Sequence, residues 1–296
     1  GASLGIVLCP EHGEEPEALM RAADAAMYAA KQAHGGYKVY SKDLGQGVDD
    51  RQALQGELRL AIAQGELVLY FQPQIDFKSN RISGVEALVR WQHPKHGLLA
   101  PDRFIPLAEQ TGMIKPLTYY VLRSALRHCE GWRRTGLDLS MSVNISAINI
   151  QDPEFPGQVA EILKEFSVPP ACLELEITET AVMSEPVRAV ECIKKLSALG
   201  VLIAIDDFGT GYSSMSYLKE LLVAKIKIDK SFVTDMANNR NDAVIVRSTV
   251  ELGHNLGLKV VAEGVETQVV WDKLSALGCD DAQGYYMSHP LSADGL

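Results

Sequence analysis

The sequence predicts an α/β protein: a TIM-type (β/α)8 barrel with an antiparallel first strand, preceded by a short α+β N-terminal fragment. Three observations predict it. From residue 67 onward there are eight apolar strand-like runs, at 67–73, 82–91, 139–144, 172–178, 201–206, 223–228, 258–262 and 279–283. Longer amphipathic patterns separate most of them, at 115–134, 155–166, 187–199, 242–256 and 267–277; this is the alternation of a barrel. Only Asp76-Phe77-Lys78-Ser79-Asn80 and its flanks join the first two runs. That is too short for a parallel crossover, so these strands are expected to form an antiparallel hairpin. An open doubly wound sheet is the alternative architecture.

Ahead of the barrel, residues 1–40 form a piece with its own pattern. A strand at 2–8 stops at Cys9-Pro10, and a helix at about 15–33 carries Leu19, Ala22, Ala23, Ala26, Met27 and Ala30 along one face. His34-Gly35-Gly36 ends that helix, and 37–40 is a further short strand. Residues 41–50 are polar and glycine-containing, a linker by composition. A helix at about 51–64 opens the main domain, 51–296. No Met opens the chain and its first residues already sit in a strand-like pattern. A piece of a longer protein is therefore expected, with any tether to the inner membrane lying upstream.

Composition sets outer bounds. With 47% hydrophobic and 22% charged residues, the chain reads as soluble and globular. No apolar run approaches the roughly 20 residues that span a bilayer, and no signal peptide is visible. Cys9, Cys129, Cys172, Cys192 and Cys279 are odd in number and widely spaced, which favours reduced thiols in a cytoplasm over a disulfide frame or a zinc cluster. The net charge of −10 argues against a polymeric nucleic acid as partner. An anionic small substrate stays open if cations gather in one pocket.

The stretch Leu202-Ile203-Ala204-Ile205-Asp206-Asp207-Phe208-Gly209-Thr210-Gly211-Tyr212 organises the rest. It delivers adjacent, mutually repelling carboxylates from a buried strand into a glycine-rich turn. The other strand ends also bring polar groups: Glu86, Asn144, Glu176, Lys227, Glu263 and Gln283. In a barrel these positions share one rim. Five carboxylates and an asparagine, with neither His nor Cys among them, disfavour zinc and suit hard cations such as Mg²⁺ or Mn²⁺. They exceed what one Mg²⁺ recruits, and two cations about 3.5–4 Å apart account for the number. Lys227 is placed to hold a water or to meet charge on a phosphate. Arg90, on the pleat face of Glu86, suits a bidentate phosphate contact. Gly209-Thr210-Gly211 is followed by Ser214 where a dinucleotide fingerprint needs glycine, and there is no His-Glu-x-x-His. Phosphodiester hydrolysis and enolate-type chemistry both remain open at this point.

These residues carry a close resemblance to the EAL family of cyclic di-GMP phosphodiesterases. The motifs are Tyr70-Phe71-Gln72-Pro73, Glu86-Ala87-Leu88-Val89-Arg90-Trp91, Val143-Asn144-Ile145-Ser146 and Leu175-Glu176-Ile177-Thr178-Glu179. Asp206 to Ser214, Lys227 to Phe232, Val261 to Thr267 and Gln283-Gly284-Tyr285 continue them, so the likeness covers about 50–294. Residues 1–40 resemble the C-terminal end of a GGDEF domain whose catalytic turn lies upstream, through Ala2-Ser3-Leu4-Gly5-Ile6 and the run Ala23 to Lys31.

The resemblance implies hydrolysis of cyclic di-GMP to linear pGpG with two Mg²⁺ or Mn²⁺ ions, Ca²⁺ binding and inhibiting. It implies Glu86, Asn144, Glu176 and Asp206 as ligands of one metal, and Asp206, Asp207 and Glu263 as ligands of the other. Lys227 is similar to the family's water-holding lysine, and Gln283 and Glu266 to its supporting shell. Asp229 falls in the catalytic group, and Glu179 resembles the brace of the 206–214 loop. Gln72, Leu88, Arg90 and Phe208 match positions that contact the dinucleotide. A homodimer formed near the 206–214 loop and upstream GGDEF and sensor domains are further implied, and part of the C-terminal helix is expected beyond Leu296. Two competing functions are a catalytically silent cyclic di-GMP receptor, whose relatives lose motif residues that this chain keeps, and a metal-dependent barrel lyase or isomerase, which lacks its second lysine or His base here.

Overall fold

A computed structural model describes residues 2–32, 35–41, 54–211 and 221–296. The chain divides into a unit of Gly1–Ala63 and a unit of Gln64–Leu296. In the first, β1 (Ser3–Ile6) and β2 (Gly36–Val39) pair in parallel and are joined through α1 (Pro16–Gln32). Strand and helix meet closely because a glycine faces an alanine-rich surface. A Cβ on Gly5 would fall 2.0 Å from Ala23 O and 2.4 Å from Met27 N. Beyond Ser41, the linker expected at 41–50 lies outside the described residues. A helix, α2, occupies 54–64.

The second unit is the barrel. Its strands are β3 (Leu67–Asp76), β4 (Arg81–His93), β6 (Ser140–Ile145), β7 (Leu173–Thr178), β8 (Leu202–Phe208), β9 (Lys225–Ile228), β10 (Lys259–Ala262) and β11 (Asp281–Ala282). They follow the order β3-β11-β10-β9-β8-β7-β6-β4, and β3–β4 pairing closes the ring. Closure rules out the open sheet. Strand β3 runs antiparallel to both β4 and β11, while the other barrel neighbours pair in parallel. The expected hairpin is present, with Phe77–Asn80 as its turn.

The larger helices are α3 (Pro101–Thr111), α4 (Ile114–Arg134), α6 (Phe155–Lys164), α8 (Pro186–Ala198), α10 (Arg240–Asn255) and α11 (Gln268–Leu277). Helix α3 and the strand β5 (Gly97–Leu99), which pairs antiparallel with β4, were not expected. Pro106 inside α3 obscures it, although Phe104, Leu107 and Ala108 bury one face and Gly112 closes it in the left-handed region. The short helices α5 (Ala147–Ile150), α7 (Glu179–Ser184) and α9 (Lys230–Val233) follow strand ends directly. They span too few residues for a 3.6-residue period to show.

Outward strand residues such as Val85, Val143, Leu175, Ile203, Ile226 and Val260 are buried. Inward positions are largely polar instead. Pairs two residues apart share a face of a strand: Gln72 and Gln74, Ser142 and Asn144, Glu174 and Glu176, Lys225 and Lys227, Asp281 and Gln283. They form two tiers. In the lower one Lys225 Nζ lies 2.9 Å from Glu174 Oε2 and Ser142 Oγ donates to Glu174 Oε1 at 2.8 Å. Ser83 Oγ donates to Asp281 Oδ1 at 2.6 Å. The upper tier opens at the C-terminal ends of the parallel strands.

Candidate active site

Lys227 is the centre of the upper tier. The strand register puts it level with Val261 of β10, and neighbouring strands deliver carboxylates around it. Its Nζ lies 2.7 Å from Glu176 Oε2, 2.6 Å from Glu263 Oε1, 3.3 Å from Asp206 Oδ1 and 3.6 Å from Glu86 Oε2. Lys227 is fully buried (0% exposed). Burial alone would drive off its proton, but Asp206, Glu176, Glu263 and Glu86 reverse this and hold its pKa well above the usual lysine value. It is therefore a fixed cation at neutral pH.

One ammonium does not balance this many carboxylates. Burial pushes the Glu176 carboxyl well above its usual range against the pull of Lys227, and Glu86 and Asp206 add to the rise. Burial likewise moves Glu263 up to about 8, with Asp206 and Glu86 contributing. Asp207 rises to about 6 through burial and the charges of Asp206 and Asp229. Glu86 goes the other way. Burial opposes its ionisation, but Lys227 and hydrogen bonds from Gln283 and Asn144 outweigh that and keep it low. Asn144 Nδ2 donates to Glu86 Oε1 at 2.6 Å, and Gln283 Nε2 to Glu86 Oε2 at 2.5 Å.

The set fits divalent cations. Asp206, Asp207 and Glu263 each bring one oxygen within 4.8 Å of the others. Glu176 Oε1 is buried with no hydrogen-bond donor among the described residues, and Asp206 Oδ1 has only its ion pair with Lys227. Buried carboxylates held above their usual pKa and oxygens without donors are what a hard cation relieves.

The chain is bent to present these groups. Strand β8 runs on to Phe208, past the expected end at 206, and Asp207 sits at φ 53. This left-handed conformation is costly for a residue with a Cβ and turns consecutive carboxylates toward one opening. Asp229 caps α9 by accepting from Ser231 N at 2.9 Å, and its negative charge helps to raise Asp207. Glu179, buried at the start of α7, accepts from Gly209 N at 3.1 Å. A Cβ on Gly211 would meet Glu179 Oε1 at 2.8 Å, so the turn lies directly on this carboxylate. The expected brace is thus in contact with 209–211, while the remainder of that loop, from 212 on, lies outside the described residues.

A cleft of about 240 Å³ opens onto the cluster, lined by Gln72, Glu86, Asp206, Lys230, Glu263 and Glu266 among others. Gln72 Nε2 donates to Ser288 O at 3.1 Å. Glu266 is exposed on the cleft's wall, not buried behind the carboxylates as a supporting group. Leu88 lines a neighbouring apolar groove of about 440 Å³ between β4, β6, α3 and α4, with Ile105, Pro106 and Ile114. Arg90 does not line the cleft. Its guanidinium lies 5.9 Å from the Tyr70 ring centroid and donates to Val89 O. Phe208 is buried. Sequence reasoning missed Gln74 and the lower tier (Ser142, Glu174, Lys225, Asp281); the signal available was the polar i, i+2 repeat within strands read as apolar.

Residues 55–290 match the family described as EAL domain. The chain is 41% identical, over its whole length and 43% of the relative, to the "Bifunctional diguanylate cyclase/cyclic di-GMP phosphodiesterase MucR" of Pseudomonas aeruginosa. It is 36% identical, over 98% of its length and 44% of the relative, to the "Cyclic di-GMP phosphodiesterase PdeR" of Escherichia coli. It thus spans less than half the length of these relatives. Among solved structures, the "PaMucR Phosphodiesterase, c-di-GMP complex" is 41% identical with a TM-score of 0.79, covering 82% of this chain and 99% of that one.

Proposed function

The chain belongs to the EAL-domain family, and we propose from this that it hydrolyses cyclic di-GMP to linear pGpG using divalent metal ions. The observation that carries the reading is Lys227 enclosed by Glu86, Glu176, Asp206 and Glu263 at the barrel mouth. Glu86, Asn144, Glu176 and Asp206 would hold one Mg²⁺ or Mn²⁺, and Asp206, Asp207 and Glu263 the other. When bound, such ions polarise the phosphodiester and lower the pKa of water.

The chain's own groups do the rest. A water oxygen attacks phosphorus, the bond to one ribose 3′ oxygen breaks, and the products are a 5′-phosphate and a free 3′ hydroxyl. Lys227, an ammonium set among these carboxylates, would stabilise negative charge on the attacking or phosphate oxygen. The water's proton passes to a carboxylate, and the departing 3′ oxygen takes up a proton from solvent. Gln72 and Glu266, on the cleft wall, orient the dinucleotide. The groove along Leu88, Ile105 and Ile114 offers an apolar wall against which a purine can lie. Ca²⁺ takes the same oxygens with looser coordination and supports little turnover.

Residues 1–40 are read as the end of a GGDEF domain. Identity to MucR runs through these residues although the EAL match begins at 55. A homodimer formed near the 206–214 loop, upstream GGDEF and sensor domains and a cytoplasmic location complete the proposal. All five cysteines are free, and no helix among the described residues is long and apolar enough to cross a membrane. The test is incubation with cyclic di-GMP and Mn²⁺, followed by chromatography for pGpG.

A further inference from the structure

Gln74 lies on β3, fully buried, two residues beyond Gln72 and on the tier away from the cleft. Its Nε2 donates to Gln283 Oε1 at 3.2 Å. Gln283 spends both N–H groups on acceptors, Gln72 Oε1 at 3.1 Å and Glu86 Oε2 at 2.5 Å. The directions of donation are forced. An ionised Glu86 only accepts, so Gln283 must face it with nitrogen, and the Gln283 oxygen must then find a donor on its other side. Gln74 is that donor. Turned over, the Gln283 amide would set its oxygen against the Glu86 carboxylate.

The arrangement has a cost. The Gln74 Oε1 is buried with no hydrogen-bond partner among the described residues, and an apolar side chain would avoid that penalty. A polar group kept there at such a cost is used for its donor.

We infer that Gln74 is a positioning residue for the metal ligand Glu86, acting through the Gln283 amide, so that metal affinity depends on a side chain that touches neither metal nor substrate. This rests on the metal-site reading above. Gln74→Met keeps the length and removes the donor. Gln74→Glu supplies an acceptor instead, which turns the Gln283 amide over onto Glu86.

The test is Mn²⁺ binding to the whole chain without substrate, followed by loss of the free-ion EPR signal, with melting in EDTA as the control for folding. Outer-shell changes cost about 10–100-fold in metal affinity. Gln74→Met should weaken Mn²⁺ binding within that range, and Gln74→Glu more, both melting cooperatively. At saturating Mn²⁺, Gln74→Met should regain the wild-type kcat for cyclic di-GMP. In a Gln283→Leu background, Gln74→Met should add nothing. Unchanged Mn²⁺ affinity in Gln74→Met, or effects that simply add in the double variant, would overturn the inference. If Gln74→Met does not fold, Gln74→Asn, too short to reach Gln283, decides by the same measurement. A wild type that binds Mn²⁺ but leaves cyclic di-GMP intact counts against the proposed function alone.

Discussion

Glu86 and Glu263 face the same lysine, yet their environments push them in opposite directions. Glu86 receives hydrogen bonds from Asn144 and Gln283 and is held low; Glu263 is raised to about 8, first by burial. A carboxyl raised on folding keeps its proton where the unfolded chain has released it. Its contribution to stability is therefore complete below about pH 4.5 and is lost as pH rises toward 8. In EDTA, Glu263→Gln should melt higher than wild type at pH 8, and the gain should shrink toward pH 5. Glu86→Gln should melt lower at pH 8, because an amide no longer accepts from both donors at full strength. Thermal melts across pH check both; a gain for Glu263→Gln independent of pH would show that its charge is not the cost.

At the scale of elements, the end of β8 and the start of α7 form one device. Asp207 is read as a ligand, Glu179 as the clamp on Gly209 and Gly211. Asp207→Asn keeps a residue that tolerates the left-handed conformation, so the fold should hold while activity is lost even at saturating metal. Glu179→Ala should weaken Mn²⁺ binding and recover part of its activity in excess Mn²⁺, because metal selects the ordered turn. A metal titration of pGpG formation separates the two, and rescue of Asp207→Asn alone would reverse the assignments. This scale also marks where the sequence was legible. The hairpin followed from a joint too short for a crossover, and Asp206-Asp207 from an apolar run ending in a glycine-rich turn. Helix α3 stayed hidden behind Pro106, and β5 and the short helices lack enough residues to show a period.

The whole barrel carries charge through its interior. The rim was legible because each polar residue interrupted or closed an apolar run. The lower tier was not, since Glu174 and Lys225 sit inside runs whose alternate residues are apolar, and only pairing across the barrel shows Lys225 meeting Glu174. Their side chains are 8% and 0% exposed, so losing one partner strands a buried charge. Lys225→Met should cost about 3–5 kcal/mol, and adding Glu174→Leu should recover most of it. Denaturant melts of the single and double variants check this; additive losses would show that the two groups act separately.

The central claim is that this rim of carboxylates around Lys227 is a two-metal phosphodiesterase site, and one assay bears on it most directly. The protein is stripped of metal, incubated with cyclic di-GMP, and analysed for pGpG in EDTA, Mn²⁺, Mg²⁺ and Ca²⁺. The account predicts pGpG with Mn²⁺ or Mg²⁺, little with Ca²⁺ and none in EDTA. Full hydrolysis in EDTA, or intact cyclic di-GMP in saturating Mn²⁺, would contradict it.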